Sequence, residues 1–157
     1  MKPQIGITAE NLKNSASLLS SVLADEMTLY IKTRKFHWNV SGESFMEIHK
    51  LFENQYKQLE LSIDNVAERI GKLGEKTIGT MAEFLEHSKL KESPDKYPSK
   101  KEMLKELLSD HETVIVELRK KIDKSEEENK DVGTADFLTG LLTDHETTAW
   151  ILRRYLS

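Results

Sequence analysis

Apolar residues recur at helical spacing in four long segments, separated by clusters of glycine, proline and polar residues. The first segment runs from about Ala9 to Trp38, and the second from the Ser41-Gly42 break to about Gly71. The third begins at Ser99 and fades into the charged run 124–130, and the fourth follows Asp131. The second has the clearest stripe, formed by Phe45, Ile48, Phe52, Tyr56, Leu59, Ile63, Val66 and Ile70. The pattern predicts four amphipathic helices.

The connection between the second and third segments, from Gly74 to Pro98, is too long for a tight hairpin. Within it, Met81–Glu86 has the pattern of a short helix, and Ser99 with Glu102 forms a capping-box pattern at the next helix start. A connection of this length suits a crossover between parallel neighbouring helices. No strand pattern or solenoid repeat competes. We therefore expect an all-α, ferritin-like four-helix bundle as a single domain over residues 1–157.

The composition limits the kinds of metal ligand and cross-link that the chain can use. The chain has 157 residues and no cysteine, which excludes disulfides and thiolate metal sites and leaves only nitrogen and oxygen ligands. Its start lacks a signal-peptide pattern and no run of 18 apolar residues occurs. We expect an unprocessed, soluble, cytoplasmic protein. The net charge of -4 gives no general attraction to phosphate backbones.

Four residues with metal-binding side chains share one face of the second predicted helix. At 100° per residue, His49, Glu53, Asp64 and Glu68 fall within an arc of roughly 100°. That arc is centred roughly 120° from the apolar stripe, so the side chains point away from the core of their own bundle. They form two pairs at the i, i+4 spacing that lets two side chains reach one metal.

These two pairs cannot form one metal site within a single chain. Their centres are 15 residues apart, or roughly 22 Å along a helix. If the helix packs antiparallel on a second copy across a twofold axis, His49 and Glu53 of one chain meet Asp64 and Glu68 of the other, giving two equivalent sites. His37 precedes the Gly42 turn and can join His49. Two imidazoles and three carboxylates suit Fe(II) and Fe(III), and also Zn(II) or Mn(II). The alternative for either pair alone is a solvated helix face.

The same stretches resemble the signatures of the Dps family of bacterial mini-ferritins. His37-Trp38-Asn39-Val40-Ser41-Gly42, followed by His49-x-x-x-Glu53, resembles the first signature, and the run Ile63–Arg69 with Gly71 and Gly74 resembles the second. The resemblance extends over essentially the whole chain. It implies that one subunit ligates iron through His37, His49 and Glu53, and its twofold mate through Asp64 and Glu68. The family more often has Asp at position 53.

The resemblance also implies an activity and an assembly. Members are hollow dodecamers with ferroxidase activity, prefer hydrogen peroxide as the oxidant and collect ferric mineral inside. Trp38 would then act as an electron donor beside a ligand, or alternatively as an aromatic anchor at a subunit contact.

Two alternative functions have less support from the sequence. The family's DNA compaction uses a lysine-rich mobile terminus, whereas the first ten residues here offer only Lys2, balanced by Glu10. DNA binding is therefore not expected. A non-catalytic helical scaffold or adhesion module remains the other alternative.

Two further groups have open assignments. Glu26, His111 and His145 lie on core stripes at similar heights, and they form either a hydrogen-bonded buried cluster or a second metal site. Asp131 and Asp136 occupy the region that the resemblance assigns to an acidic iron-entry pore. Asp131 is alternatively only the N-cap of the fourth helix.

Overall fold

The computed structural model describes residues 3–157, so Lys2 lies outside the described residues. Its helices are α1 (Ala9–Asn39), α2 (Phe45–Lys72), α3 (Met81–His87), α4 (Lys100–Glu127) and α5 (Val132–Leu156), with no strand among the described residues. The four long helices form the bundle, in which α1 packs mainly on α2 and α4 mainly on α5, while the short α3 packs on α1. The predicted all-α bundle with a helix-containing crossover is confirmed. Between residues 3 and 157, no helix is long and apolar enough to span a bilayer.

Local capping sets where the helices begin. The predicted capping box is present, with the Ser99 hydroxyl accepting from the backbone N–H of Glu102 and the Glu102 carboxylate accepting from the backbone N–H of Ser99. Thr80 and Glu83 form a second box at α3. The α1–α2 turn depends on backbone conformation instead, because Gly42 has φ 93° and the N-cap Ser44 has φ 59° with no side-chain cap. This turn fixes the end of α1 beside the start of α2.

The predicted stripes form the core, with two differences. On α4 the sequence pattern predicts a stripe in which Leu104, His111 and Leu118 are buried, while Leu108, Ile115 and Ile122 are only partly buried. Met103, Leu107 and Val114 of the adjacent row are buried as well. Two neighbouring rows of residues on α4 are apolar in the sequence, and packing against α5 determines which of these residues are buried. Phe45 is 39% exposed, because it lies in the first turn of α2 beyond the end of the core.

Two buried charged side chains of α1 hold the crossover in place. The Asp25 carboxylate accepts hydrogen bonds from the Ser88 hydroxyl (2.9 Å) and from the backbone N–H of Lys89 (2.6 Å). The Lys32 ammonium donates to the backbone carbonyl of Lys91 (3.1 Å) and pairs with Glu106 of α4 (2.8 Å). Buried charges are tolerated where they are paired in this way.

Candidate metal centre

His37 and His49 are brought together by the α1–α2 turn. Their rings stack with centroids 3.7 Å apart and an interplanar angle of 23°. His37 Nδ1 lies 2.8 Å from the carbonyl oxygen of His49, and His49 Nδ1 lies 2.9 Å from the carbonyl oxygen of His37. A carbonyl only accepts, so each Nδ1 carries a proton and donates it, and Nε2 is the ring nitrogen left for a metal. This is how metal-ligating histidines are usually oriented.

Aromatic neighbours fix the two rings further. The Tyr56 ring meets His37 edge-on at 5.2 Å between centroids, and the Phe45 ring lies 5.0 Å from His49. His37 is buried and His49 is partly buried. The pair is therefore held in one orientation without using the Nε2 atoms, and its role in binding metal stays a prediction.

Glu53 follows one turn after His49 and is held by two lysines. Its Oε2 lies 2.8 Å from the Lys50 ammonium and its Oε1 pairs with Lys57. Hydrogen bonds from Lys50 and Lys57 lower the pKa of Glu53 to about 2. The carboxylate is therefore ionised at neutral pH, as a metal ligand must be.

Asp64 and Glu68 lie further along α2 and are exposed. Glu68 pairs only with Lys72, at 3.3 Å, and Asp64 has no hydrogen-bond or ion-pair partner among residues 3–157. No three His, Asp or Glu side chains in this described part of the chain are grouped so that they could hold a metal ion. One chain thus brings together His37 and His49, with Glu53 on the next turn, and leaves Asp64 and Glu68 facing away from its own core.

Trp38, beside His37, is 64% exposed. The Arg34 guanidinium lies over its ring at 5.3 Å from the centroid and also over the Tyr56 ring at 4.6 Å. The exposed indole is compatible with both assignments, electron donor and contact anchor, and both stay predictions.

The second histidine pair lies inside the bundle. His145 Nε2 is 2.6 Å from Glu26 Oε1, and His145 Nδ1 is 2.8 Å from His111 Nδ1. His145 meets its two neighbours through opposite ring nitrogens, so a single ion cannot bind all three residues at these positions. The predicted hydrogen-bonded buried cluster is confirmed, and the three residues do not form a three-ligand metal site.

Protonation differs between these two buried rings. Burial disfavours a charged ring, but the Glu26 carboxylate outweighs this and raises the pKa of His145. Burial, with the neighbouring His145, lowers the pKa of His111 well below its ordinary value. The pKa values of the two rings are therefore shifted in opposite directions, and the Glu26 carboxylate favours a proton on His145 over one on His111. Gln55, which no sequence pattern singles out, lines a cavity of about 10 Å³ with His111 and has no hydrogen-bond partner for its amide among residues 3–157.

Asp131 is buried and caps α5. Its Oδ1 accepts from the backbone N–H of Thr134 at 2.9 Å and pairs with Arg69 at 3.2 Å. The N-cap interpretation of Asp131 is confirmed. Asp136 is exposed on the next turn of α5. The pore role of the pair stays a prediction, in which Asp136 is the member with an exposed carboxylate.

Comparisons with known proteins identify the family of the chain and its fold. A family model for ferritin-like domains matches residues 16–157. The chain is 44% identical over 153 residues to an uncharacterised low temperature-induced protein of Nostoc sp., covering 98% of this chain and 86% of that protein. It is 35% identical over 146 residues to DNA protection during starvation protein 2 of Bacillus anthracis, covering 92% of this chain and 98% of that protein.

A solved structure extends the comparison to the fold. The Dps protein of Vibrio cholerae O1, a member of the ferritin-like diiron-carboxylate superfamily, is 27% identical. Its structure superposes with a TM-score of 0.91 and covers 99% of this chain and 97% of that one. The chain belongs to the Dps family of ferritin-like proteins.

Proposed function

We propose that this protein oxidises Fe(II) at di-iron centres shared between two antiparallel copies of α2, and stores the ferric product inside a hollow dodecamer. Iron storage and ferroxidase-type chemistry are general to its family. Hydrogen peroxide is the proposed oxidant. Iron is here the substrate and cargo of the protein.

The observation that carries the proposal is the division of one ligand set between the two ends of α2. His49 and Glu53 lie near its start, and Asp64 and Glu68 near its end. The midpoint between His49 and Glu68 is also the midpoint between Glu53 and Asp64, so one antiparallel register brings both pairs of residues opposite each other. The residues at the start of α2 in each chain then meet those at the end of α2 in the other chain, which gives two identical centres.

The donor atoms fit iron. The Nε2 lone pairs of His37 and His49 are free because their Nδ1 protons are donated to backbone carbonyls. Carboxylates complete the set, and imidazole with carboxylate suits Fe(II) and Fe(III). Two adjacent Fe(II) each give one electron, and one hydrogen peroxide takes both electrons and two protons to become two water molecules. Because the two electrons go together, no hydroxyl radical is released.

The other predicted residues have supporting roles in this proposal. Trp38 supplies an electron when only one Fe(II) is bound, and Asp136 with Asp131 lines the route of iron entry. The acidic balance of the chain, -4, does not favour DNA as a second partner.

Removing the half-site at the end of α2 tests the proposal. The variant with Asp64→Ala and Glu68→Ala should oxidise Fe(II) at least about 100-fold more slowly, because each centre loses two ligands. The measurement is ferric absorbance after addition of Fe(II) and peroxide at neutral pH. The matched control is Asp123→Ala with Glu127→Ala, which removes an exposed Asp and Glu at the same spacing from α4 and should keep the wild-type rate.

Two outcomes would contradict the proposal. One is an unchanged rate in the variant that lacks Asp64 and Glu68. The other is a stable monomer in size-exclusion chromatography, because the centre needs two chains and the proposed assembly is roughly twelvefold.

A further inference from the structure

Resting on the proposed function, we propose that Lys50 and Lys57 are resident cations of the metal-free centre. Their ammonium groups occupy the Glu53 carboxylate until Fe(II) displaces them. The two lysines therefore lower the affinity of the metal position that needs Glu53.

The contacts of Glu53 carry this inference. Lys50 and Lys57 lie three residues before and four residues after Glu53, so both reach it along one face of α2. Each lysine takes a different carboxylate oxygen, Lys50 at Oε2 (2.8 Å) and Lys57 at Oε1. Both oxygens are thus engaged, and a metal ion that uses Glu53 has to break at least one ion pair.

The other proposed ligands are not restrained in this way. Asp64 has no partner among residues 3–157, and Glu68 has a single one, Lys72, at 3.3 Å through one oxygen. The Nε2 atoms of His37 and His49 are not used in the bonds that orient the rings. An arriving ion therefore meets the imidazoles of one chain and the Asp64 and Glu68 carboxylates of the other before it gains Glu53.

Charge matching explains what the lysines do before iron arrives. Each proposed centre gathers three carboxylates, those of Glu53 and of the other chain's Asp64 and Glu68. The same surfaces carry three lysines, Lys50, Lys57 and Lys72. The metal-free centre is then close to neutral, so two copies of α2 can pack without uncompensated like charges.

Two Fe(II) ions reverse this balance, because they add four positive charges beside the lysines. The side chains of Lys50 and Lys57 are 60% and 56% exposed, so both can swing into solvent. The affinity of the second position is then set by competition with the lysines. This sets the Fe(II) concentration at which a centre holds the pair of ions that peroxide needs.

Binding of Zn(II), which undergoes no redox change, tests the inference by calorimetry on the assembled protein. The wild type should show a tight and a weaker step at each centre. In the variant Lys50→Met with Lys57→Met, the weaker step should tighten about tenfold while the tight step changes less than about twofold. The control is Lys120→Met with Lys124→Met, which removes two exposed lysines paired to glutamates on α4 and should change neither step.

An unchanged or weakened second step in the Lys50 and Lys57 variant overturns the inference, since the lysines would then only form surface ion pairs. If the double variant does not assemble, Lys50→Met and Lys57→Met alone decide, and each should tighten the second step about threefold. A different result would contradict the proposed function itself. Zn(II) then binds the variant lacking Asp64 and Glu68 as it binds wild type, and this result overturns both proposals.

Discussion

The two histidine pairs of this protein use their ring nitrogens in opposite ways. His37 and His49 each donate Nδ1–H to a backbone carbonyl, which fixes the ring and leaves Nε2 free. His111 and His145 share a hydrogen bond through Nδ1, and His145 uses Nε2 on Glu26. The outer pair thus keeps one nitrogen of each ring available for the proposed metal, whereas both nitrogens of His145 are used in hydrogen bonds to other side chains.

The two histidine pairs also differ in whether one chain supplies all of their carboxylate partners. The buried pair has its carboxylate, Glu26, within the same chain and less than 1% exposed. The outer pair has only Glu53 on the next turn, and the remaining proposed carboxylates lie at the far end of α2. Substitutions in the buried pair should therefore affect stability, and substitutions in the outer pair should affect Fe(II) oxidation.

The largest effect is expected at the outer pair. His49→Ala removes a proposed ligand and the ring that stacks on His37, so the rate of Fe(II) oxidation should fall at least about 100-fold. His87→Ala, at an exposed histidine, should leave the rate and the stability unchanged. Ferric absorbance measures the rate. A His49→Ala protein that oxidises Fe(II) at the wild-type rate would remove the distinction between the two pairs.

The buried pair should show the reverse behaviour. Glu26→Ala removes one partner of the buried pair with His145 and should lower the free energy of unfolding by about 3–5 kcal/mol. The oxidation rate of the assembled protein should stay within about twofold. Denaturant titration followed by circular dichroism, at one protein concentration, gives the stability.

The control for this prediction is Glu112→Ala, which breaks an exposed ion pair with Arg153 and should cost less than about 1 kcal/mol. An equal loss of stability in the two variants would show that Glu26 contributes no more than a surface carboxylate.

A smaller effect is expected in the pH dependence of that stability. The raised pKa of His145 gives stability that is present below its unfolded value of about 6.5 and is lost as pH rises through the folded value. The lowered pKa of His111 acts oppositely, since its contribution is present above about 6.5 and lost as pH falls. Glu26→Ala removes only the first contribution.

The cost of Glu26→Ala should therefore be larger at about pH 6 than at about pH 9. Unfolding of both proteins at the two pH values measures the difference. A cost that rises with pH would mean that His145 is neutral in the folded protein.

Sequence reasoning reached the helices and the shared face of α2, because both follow from the fixed rotation per residue of a helix. It did not reach the bonds between His37 and His49, since these depend on the turn with positive φ at Gly42 and Ser44. On α4 it identified the buried Leu104, His111 and Leu118 but also took Leu108 and Ile115 as core, because only packing on a neighbouring helix distinguishes adjacent apolar rows. The spacing of Lys50 and Lys57 around Glu53 was visible, but exposed i, i+4 ion pairs are common on helices.

The division of the ligands between the two ends of α2 has a genetic consequence. On the proposed pairing, an allele without His37 and His49 and an allele without Asp64 and Glu68 each encode a protein with no complete centre. When one chain of each kind forms a dimer, one of its two centres lacks both the histidines and the carboxylates. The other centre is complete, because it takes His37 and His49 from one chain and Asp64 and Glu68 from the other. The two alleles should therefore complement each other, as alleles with defects inside one self-contained site do not.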